Sequence, residues 1–519
     1  MAHALTPRAL AVAAALVLAG CGGGGGGGAA APVTAPVAAT PSTPATTPAP
    51  ATTDTPAQAA ITFANVSVHD PAVIKVGDTW YAFGSHLAAA KTTDLMNWTK
   101  IADGVTDANP LFSKVTTALA DTFAWAQVTD LWAPDVIQLD DGKFYMYYDA
   151  CKGDSPRSAL GVAVADKIEG PYVNKQVFLK SGMWGEVSPD GTVYDALKHP
   201  NVVDPNTFRD AAGKLWMIYG SYSGGIFIMA MDPATGLPVA GQGYGKHLMG
   251  GNHARIEGAY VMYSPATKYY YLFTSFGGLD ANGGYNMRVA RATSPDGPYL
   301  DATGKDMADV KADPTKPLFD DVSIAPYGQK LVGNYQFALA SGETGTPVGY
   351  VSPGHNSARY EAATNQYFLI FHTRFPGQGE YHEVRVHEMF INDDGWPVAA
   401  PLRYVPLSKS ATTISATVTS ADTAGAYKMV NHGKDISATV KPSVAIRLDA
   451  NGTVTGAGSG NTGGTWTHKG NNNVAIVIDG VTYSGVLSRQ WNPNANAFAV
   501  TFTAQSKAGV SLWGIRTGS

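Results

Sequence analysis

Cysteine is nearly absent, with two residues in 519, Cys21 and Cys151. Cys21 falls at the end of a leader, so the mature fold keeps one thiol and an intramolecular disulfide is excluded. No Cys-His signature accompanies Cys151, which reads as a buried, unreactive thiol. Charge is scarce too, at 15% of residues, with 36 basic against 41 acidic side chains. That balance offers no basic surface to attract nucleic acid, and nucleic acid is excluded as a partner. The apolar run at residues 9–18 is too short to span a bilayer. No amphipathic helix of useful length is legible, which leaves strands to build the fold.

What is abundant fits that conclusion. The chain holds 58 Gly, 25 Tyr and 10 Trp, a composition suited to a β-rich secreted protein that binds uncharged ligands. Arg8, the apolar run and then Ala19, Gly20 and Cys21 form a secretory signal core. Its ending, LAGC, resembles the bacterial lipoprotein box, in which cleavage precedes a cysteine that receives a lipid. Residues 1–21 are read as such a signal, with an ordinary signal peptide and an incidental Cys21 as the alternative. Residues 22–60 are a glycine run followed by Ala, Pro, Thr and Val, which cannot bury a core and form a tether. The expected location is extracellular, at a bacterial surface, with membrane contact only through a lipid on Cys21; the protein is read as a monomer.

Residues 61–405 carry one unit five times, at residues 68–85, 133–150, 202–223, 255–276 and 354–375. Each is a polar residue, a short apolar run, a turn rich in Gly, Asp or Asn, and a run of aromatic and β-branched residues, the signature of a hairpin. Five such hairpins predict an all-β, five-bladed β-propeller. Residues 160–173, 287–300 and 384–398 alternate and are expected to supply strands three and four of their blades. Residues 103–129 fit no unit and are expected to loop over a mouth of the propeller. Asp70, Asp135, Asp204, Glu257 and His355 head the five units and are expected to converge at one mouth of the channel. Carboxylates gathered on an apolar scaffold are costly unless used. Beyond them, residues 406–519 turn to Thr, Ser, Gly, Asn and Ala, and predict a small C-terminal β-barrel or sandwich.

The unit heads read HDP at residues 69–71, LWAPDV at 131–136, VVDPNTF at 202–208, RIEGAY at 255–260 and PGHNS at 353–357. In this order they resemble glycoside hydrolase family 43, specifically its two-domain extracellular bacterial endo-α-1,5-L-arabinanases. AYKMVNHGKDISA at 426–438 resembles the opening of that family's C-terminal domain. The resemblance implies arabinan or arabino-oligosaccharides as substrate, Asp70 as base, Glu257 as acid, and Asp204 as the group that orients the acid. Inversion needs those two roles on opposite sides of the scissile bond, ~6.5–9.5 Å apart. His355 reads either as a satisfied axial histidine or as a metal ligand; the resemblance implies the second, one calcium ion held by His355 and waters, with His372 as the rival ligand. Asp135 has no place in the catalytic trio and is read as structural or as a distant polar contact. Substrate contacts are implied at Asn201, Val202, Val203, Ser221, Tyr222, Ser223, His253, Ala254, Arg255 and Ile256, with Trp132 as a sugar-stacking face. Arg255 has a second reading, as the partner of an acid. An exo-acting α-L-arabinofuranosidase or β-xylosidase on the same scaffold, or a non-catalytic carbohydrate-binding propeller, are the alternatives.

Overall fold

A computed structural model describes residues 61–456 and 463–518. The signal, Cys21 and the tether read over residues 1–60 lie outside the described residues. Sheets with antiparallel cores follow one another along the chain, three of four strands and two extended to five and six, each opening with a predicted hairpin. Blade one is Ala72–Val76, Thr79–Gly84, Ala88–Thr92 and Thr99–Ala102. Blade two is Asp135–Gln138, Phe144–Cys151, Ser158–Ala165 and Val173–Lys180. Blade three begins with Asn206–Arg209, Leu215–Tyr219 and Ile226–Asp232, the last pairing with both Leu237–Pro238 and Lys246–Met249. Blade four is Ile256–Tyr263, Tyr270–Phe276, Asn286–Ala292 and Gln329–Val332. Blade five is Gly349–Glu361, Gln366–Arg374, His382–Ile391 and Pro397–Ala399. The first strands touch in the cyclic order one, two, three, four, five, one, which closes a five-bladed propeller around an axial channel.

The aromatic runs of the second strands have a simple cause. Tyr145 and Tyr147 pack toward blade three while Met146 and Tyr148 pack toward blade one. Likewise Met217 and Tyr219 face blade two while Ile218 faces blade four. A strand wedged between two neighbouring sheets is apolar on both faces, so strict alternation gives way to a continuous apolar run.

Two expectations about this domain fail. Residues 103–129 carry two short helices, Val115–Ala118 and Ala120–Ala126. Instead of looping over a mouth, Leu111, Phe112, Val115, Leu119 and Phe123 fill the crevice between blades one and two. In blade four, residues 287–300 yield only the third strand; the fourth is Gln329–Val332, after a long excursion at residues 293–328.

The C-terminal module is a barrel and not a sandwich. Its strands are Gly425–Asn431, Val444–Leu448, Thr453–Thr455, Gly464–Gly470, Asn473–Ile478, Val481–Asn492, Ala497–Ser506 and Ser511–Thr517, and the last pairs with the first. Closure leaves no open edge. The barrel is seated on blades four and five. Lys441–Pro442 adds a parallel strand to Tyr335–Gln336, Lys330 Nζ donates to the His432 and Asp435 carbonyls at 3.0 and 2.8 Å, and the Arg288 guanidinium donates to the Lys434 carbonyl at 2.7 Å.

Candidate active site

Asp70 and Asp204 each stand one proline ahead of an inner strand and adopt left-handed backbone, with φ of 53° and 58°. Aspartate tolerates that region better than most residues. His355, at φ 43°, lies in a stretch of blade five where pairing slips on both sides of Gly354. Glu257 precedes Gly258, at φ 59°, where the register of blade four slips as well. Such irregularities re-aim side chains, and here they bring four of the five heads together. Glycine suits this place: the backbone is left-handed, and a Cβ there would lie 3.1 Å from His355 Cγ, closer than most Cβ contacts.

Asp135 does not join them. The prolines show why: Asp70-Pro71, Ala133-Pro134 and Asp204-Pro205 are the equivalent pairs, so Ala133 heads blade two and Asp135 aligns with Ala72 and Asn206. Asp135 Oδ2 accepts from the amide and hydroxyl of Thr207 at 2.6 and 2.5 Å. It lines a separate cavity of about 440 Å³ shared with Ile74, Arg209, Tyr260 and Arg359 from the inner strands of other blades.

A second ring of polar residues, at the ends of the second strands, holds the heads. Asp149 accepts from the Asp204 amide at 3.3 Å, and Ser221 Oγ donates to Glu257 Oε2 at 2.8 Å. Ser275 Oγ accepts from the His355 amide at 2.8 Å, and His372 Nδ1 accepts from the Asp70 amide at 3.1 Å. In each case the support comes from one blade and the head from the next. Blade two has no polar head, so Ser85 of blade one turns to Asp70 of its own blade, donating to Oδ2 at 2.5 Å. Of this ring Ser221 is among the expected substrate contacts and His372 is the expected rival metal ligand; Ser85, Asp149 and Ser275 are not among the expected residues. The signal for the others is the terminal polar residue of FGS, YYD, FTS and IFH. Tyr285 has no such signal. Its hydroxyl donates to Glu257 Oε1 at 2.9 Å, and its ring lies where a Cβ on Gly354 would be, 2.0 Å from Cε1.

The carboxyl groups are driven apart in acidity. Burial works to raise Asp70, but the neighbouring imidazoles of His69, at 2.7 Å, and His355, at 3.1 Å, outweigh it and hold the group well below the usual range. Burial raises Glu257 against the hydrogen bonds from Ser221 and Tyr285 and the charge of His355. Asp204 is raised by burial, against the pull of His355 and reinforced by the charges of Glu257 and Asp70; it also accepts from the Gly258 amide at 3.1 Å. Asp149 is pushed well above the ordinary value by burial and then by Asp204, and its Oδ1 is buried without a hydrogen-bond partner. The shifts of Asp70 and Glu257 thus run in opposite directions within one buried site.

The expected substrate contacts fall into two groups. Ser221 reaches Glu257, while Tyr222 and Ser223 follow in left-handed backbone at φ 45° and 37°. His253, at φ 57°, donates its amide to the Ser223 carbonyl at 2.9 Å, and Trp132 is half-buried beside the Asp149 backbone. The side chains of Val202, Val203, Ala254 and Ile256 are buried in the core, and Asn201 bonds to Ser158. Arg255 pairs with Asp321, Nε to Oδ1 at 3.0 Å and a second contact through Nη2.

His355 stands among Asp70, Asp204 and Glu257, whose charges raise its imidazole to about 10 against the opposing effect of burial. A cation is favoured where carboxyl groups outnumber imidazoles. The unpartnered Asp149 oxygen adds to an oxygen-rich environment, and this donor chemistry fits a hydrated calcium ion. A different set, His69, Asp70 and His372, brings its ligand atoms within 4.8 Å of one another. In that set the Nδ1 lone pair of His372 is taken up by the Asp70 amide.

The family model described as glycosyl hydrolases family 43 matches residues 61–321, and that of a C-terminal lipocalin-like domain matches 401–514. The chain is 57% identical over 452 residues to extracellular endo-alpha-(1->5)-L-arabinanase 2 of Bacillus subtilis, covering 87% of this chain and 93% of that one. It is 48% identical over 462 residues to the extracellular endo-alpha-(1->5)-L-arabinanase of Thermotoga petrophila, covering 88% and 94%. Among solved structures, a glycoside hydrolase family 43 protein of Bacillus licheniformis superposes with a TM-score of 0.83 at 58% identity, covering 88% of this chain and 99% of that one. The Thermotoga petrophila endo-1,5-alpha-L-arabinanase superposes with a TM-score of 0.82 at 47% identity, covering 88% and 100%.

Proposed function

The chain belongs to glycosyl hydrolases family 43, and from that premise we propose that it is an extracellular endo-α-1,5-L-arabinanase that cuts arabinan with inversion, Asp70 acting as base and Glu257 as acid. The observation that carries the reading is the pair of opposed acidities in one buried site, Asp70 held low and Glu257 raised. The names of the two relatives similar over most of the chain supply the substrate and the endo mode. That both are named extracellular supports an extracellular location, and the leader at residues 1–21 with a lipid on Cys21 is part of the same proposal.

In the proposed step Asp70 takes a proton from water as the water oxygen bonds to the anomeric carbon. The glycosidic bond breaks on the opposite face, and its oxygen takes the proton of Glu257. Ser221 and Tyr285 fix the Glu257 carboxyl by donating to its two oxygens, which leaves the acid proton to point at the leaving group. Asp204 holds the amide of Gly258 and so the backbone that carries Glu257. To hold a calcium ion, with water, His355 would have to give up the proton that Asp70, Asp204 and Glu257 favour on its imidazole. Bound there, the ion would offset the negative charge of the site.

Digestion of linear arabinan, followed by proton NMR of the first products, tests the reading. Oligosaccharides of inverted anomeric configuration are expected; arabinose alone would mean an exo enzyme, and retention would demand a nucleophile in place of a base. The pH profile is a second check. Asp70 must be ionised and is held low, so activity is lost only as the pH falls through that low value. Glu257 must be protonated and is raised, so activity is lost as the pH rises through a value above the ordinary ~4.3 of a glutamate. Replacing Tyr285 by Phe removes a donor that favours the ionised acid, and should move the alkaline limb of kcat/KM upward.

Chelation should lower the melting temperature or the activity of the wild type, and calcium should restore it. His355→Ala should start from the chelated level and ignore added calcium. Elemental analysis without bound metal, together with indifference to chelator, would leave His355 as a packing residue.

A further inference from the structure

The excursion at residues 293–328 of blade four ends in an apolar ledge that the catalytic account leaves unused. Leu318, Phe319 and Val322 are exposed, Phe319 by 50%, and Leu279 lies exposed on the neighbouring loop. Phe319 adopts φ 67°, a backbone region that a bulky aromatic residue rarely enters. Strain in a side chain that buries little needs another reason to persist, and such outliers gather at ligand-binding positions.

The surroundings supply that reason. Phe319 packs on Tyr222, ring centroids 5.9 Å apart. Tyr222 follows Ser221, the donor to Glu257, and its hydroxyl donates to the Gly277 carbonyl at 3.4 Å. Arg255 ties the ledge down through Asp321, and its guanidinium lies against Gly278, where a Cβ would come within 2.6 Å of Nη1. The ledge therefore sits on the side of the site that holds the proton donor. A glycoside bound for cleavage places its leaving portion on that side, since the acid protonates the leaving oxygen.

We propose that Phe319 is a stacking platform for a sugar residue on the leaving-group side of the scissile bond, with Arg255 and Asp321 as positioning residues that hold it there. A ring with one apolar face and a hydroxyl-bearing rim matches an exposed aromatic face backed by a second ring. The inference rests on the reading of the site as an arabinan hydrolase.

The test compares wild type, Phe319→Ala and Phe319→Trp on linear arabinan and on a series of arabino-oligosaccharides. Phe319→Ala should lose about tenfold in kcat/KM on arabinan, chiefly through KM, which marks lost binding on the substrate side. Its cleavage pattern on the longer oligosaccharides should shift, and its melting temperature should stay near that of the wild type. Phe319→Trp should keep wild-type KM within about threefold, because it keeps the face. Wild-type kinetics in Phe319→Ala, or an equal loss in Ala and Trp with a lowered melting temperature, would overturn the platform and leave the hydrolase reading intact. A wild-type enzyme that releases no sugar from arabinan would overturn both.

Discussion

Glu257→Ala is expected to lower kcat on linear arabinan by about 10²- to 10⁴-fold, the range in which a positioned general acid contributes. Glu257 is the one head whose two carboxyl oxygens both accept from side-chain hydroxyls, those of Ser221 and Tyr285. A carboxyl so fixed and so buried is built to present one proton in one direction. The loss should depend on the leaving group: a substrate whose leaving group departs without a proton should suffer far less than arabinan. Asp70→Asn should lose a similar factor with no such dependence, because its role is on the water and not on the leaving oxygen. Both variants should melt near the wild-type temperature. Retention of most activity by either one on arabinan would remove its assigned role, and a leaving-group dependence found in Asp70→Asn and missing in Glu257→Ala would show that the roles are exchanged.

The largest effect on stability is expected from Trp513→Ala, at about 3–5 kcal/mol, the usual loss for deleting a buried tryptophan. Trp513 is 1% exposed and lies on the last barrel strand, yet its neighbours belong to both domains. Its ring stands 5.2 Å from Tyr335 and 6.0 Å from His387 of the propeller, and 4.5 Å from His432 of the barrel. Truncation opens a cavity in the seat of the barrel, where the neighbours are themselves large rings that cannot collapse into it. Denaturant unfolding followed by circular dichroism measures the loss. Trp513→Phe, which keeps most of the volume, should lose far less. A change below about 1 kcal/mol for Trp513→Ala would mean that the seat is loosely packed.

How much of this protein its sequence determines divides along the range of the interactions. Each hairpin is a local object, set by a short apolar run, a turn and a run of aromatic and β-branched residues within about twenty residues, and so five hairpins and their order are legible in the sequence. Four of the five heads are legible too, because each stands at the start of its hairpin. Asp135 is misplaced by that pattern, which does not define where a strand begins to within two residues; the register is carried instead by Pro134, the equivalent of Pro71 and Pro205. The helices at Val115–Ala118 and Ala120–Ala126 escape because they are shorter than the window in which a helical period can be recognised.

The chemical state of the site is not written in any stretch of the chain. Glu257 meets Tyr285 from 28 residues away and Asp70 meets His372 from 302, and no local pattern links them. Phe319 reaches Tyr222 only because the long excursion of blade four folds back and is tied by Arg255. Sequence determined which polar groups stand at the heads of the blades. Closure of the ring decided which are held at a low pKa and which at a raised one, since acidity depends on burial and on the charges within a few ångströms, and those are properties of neighbours in space and not along the chain.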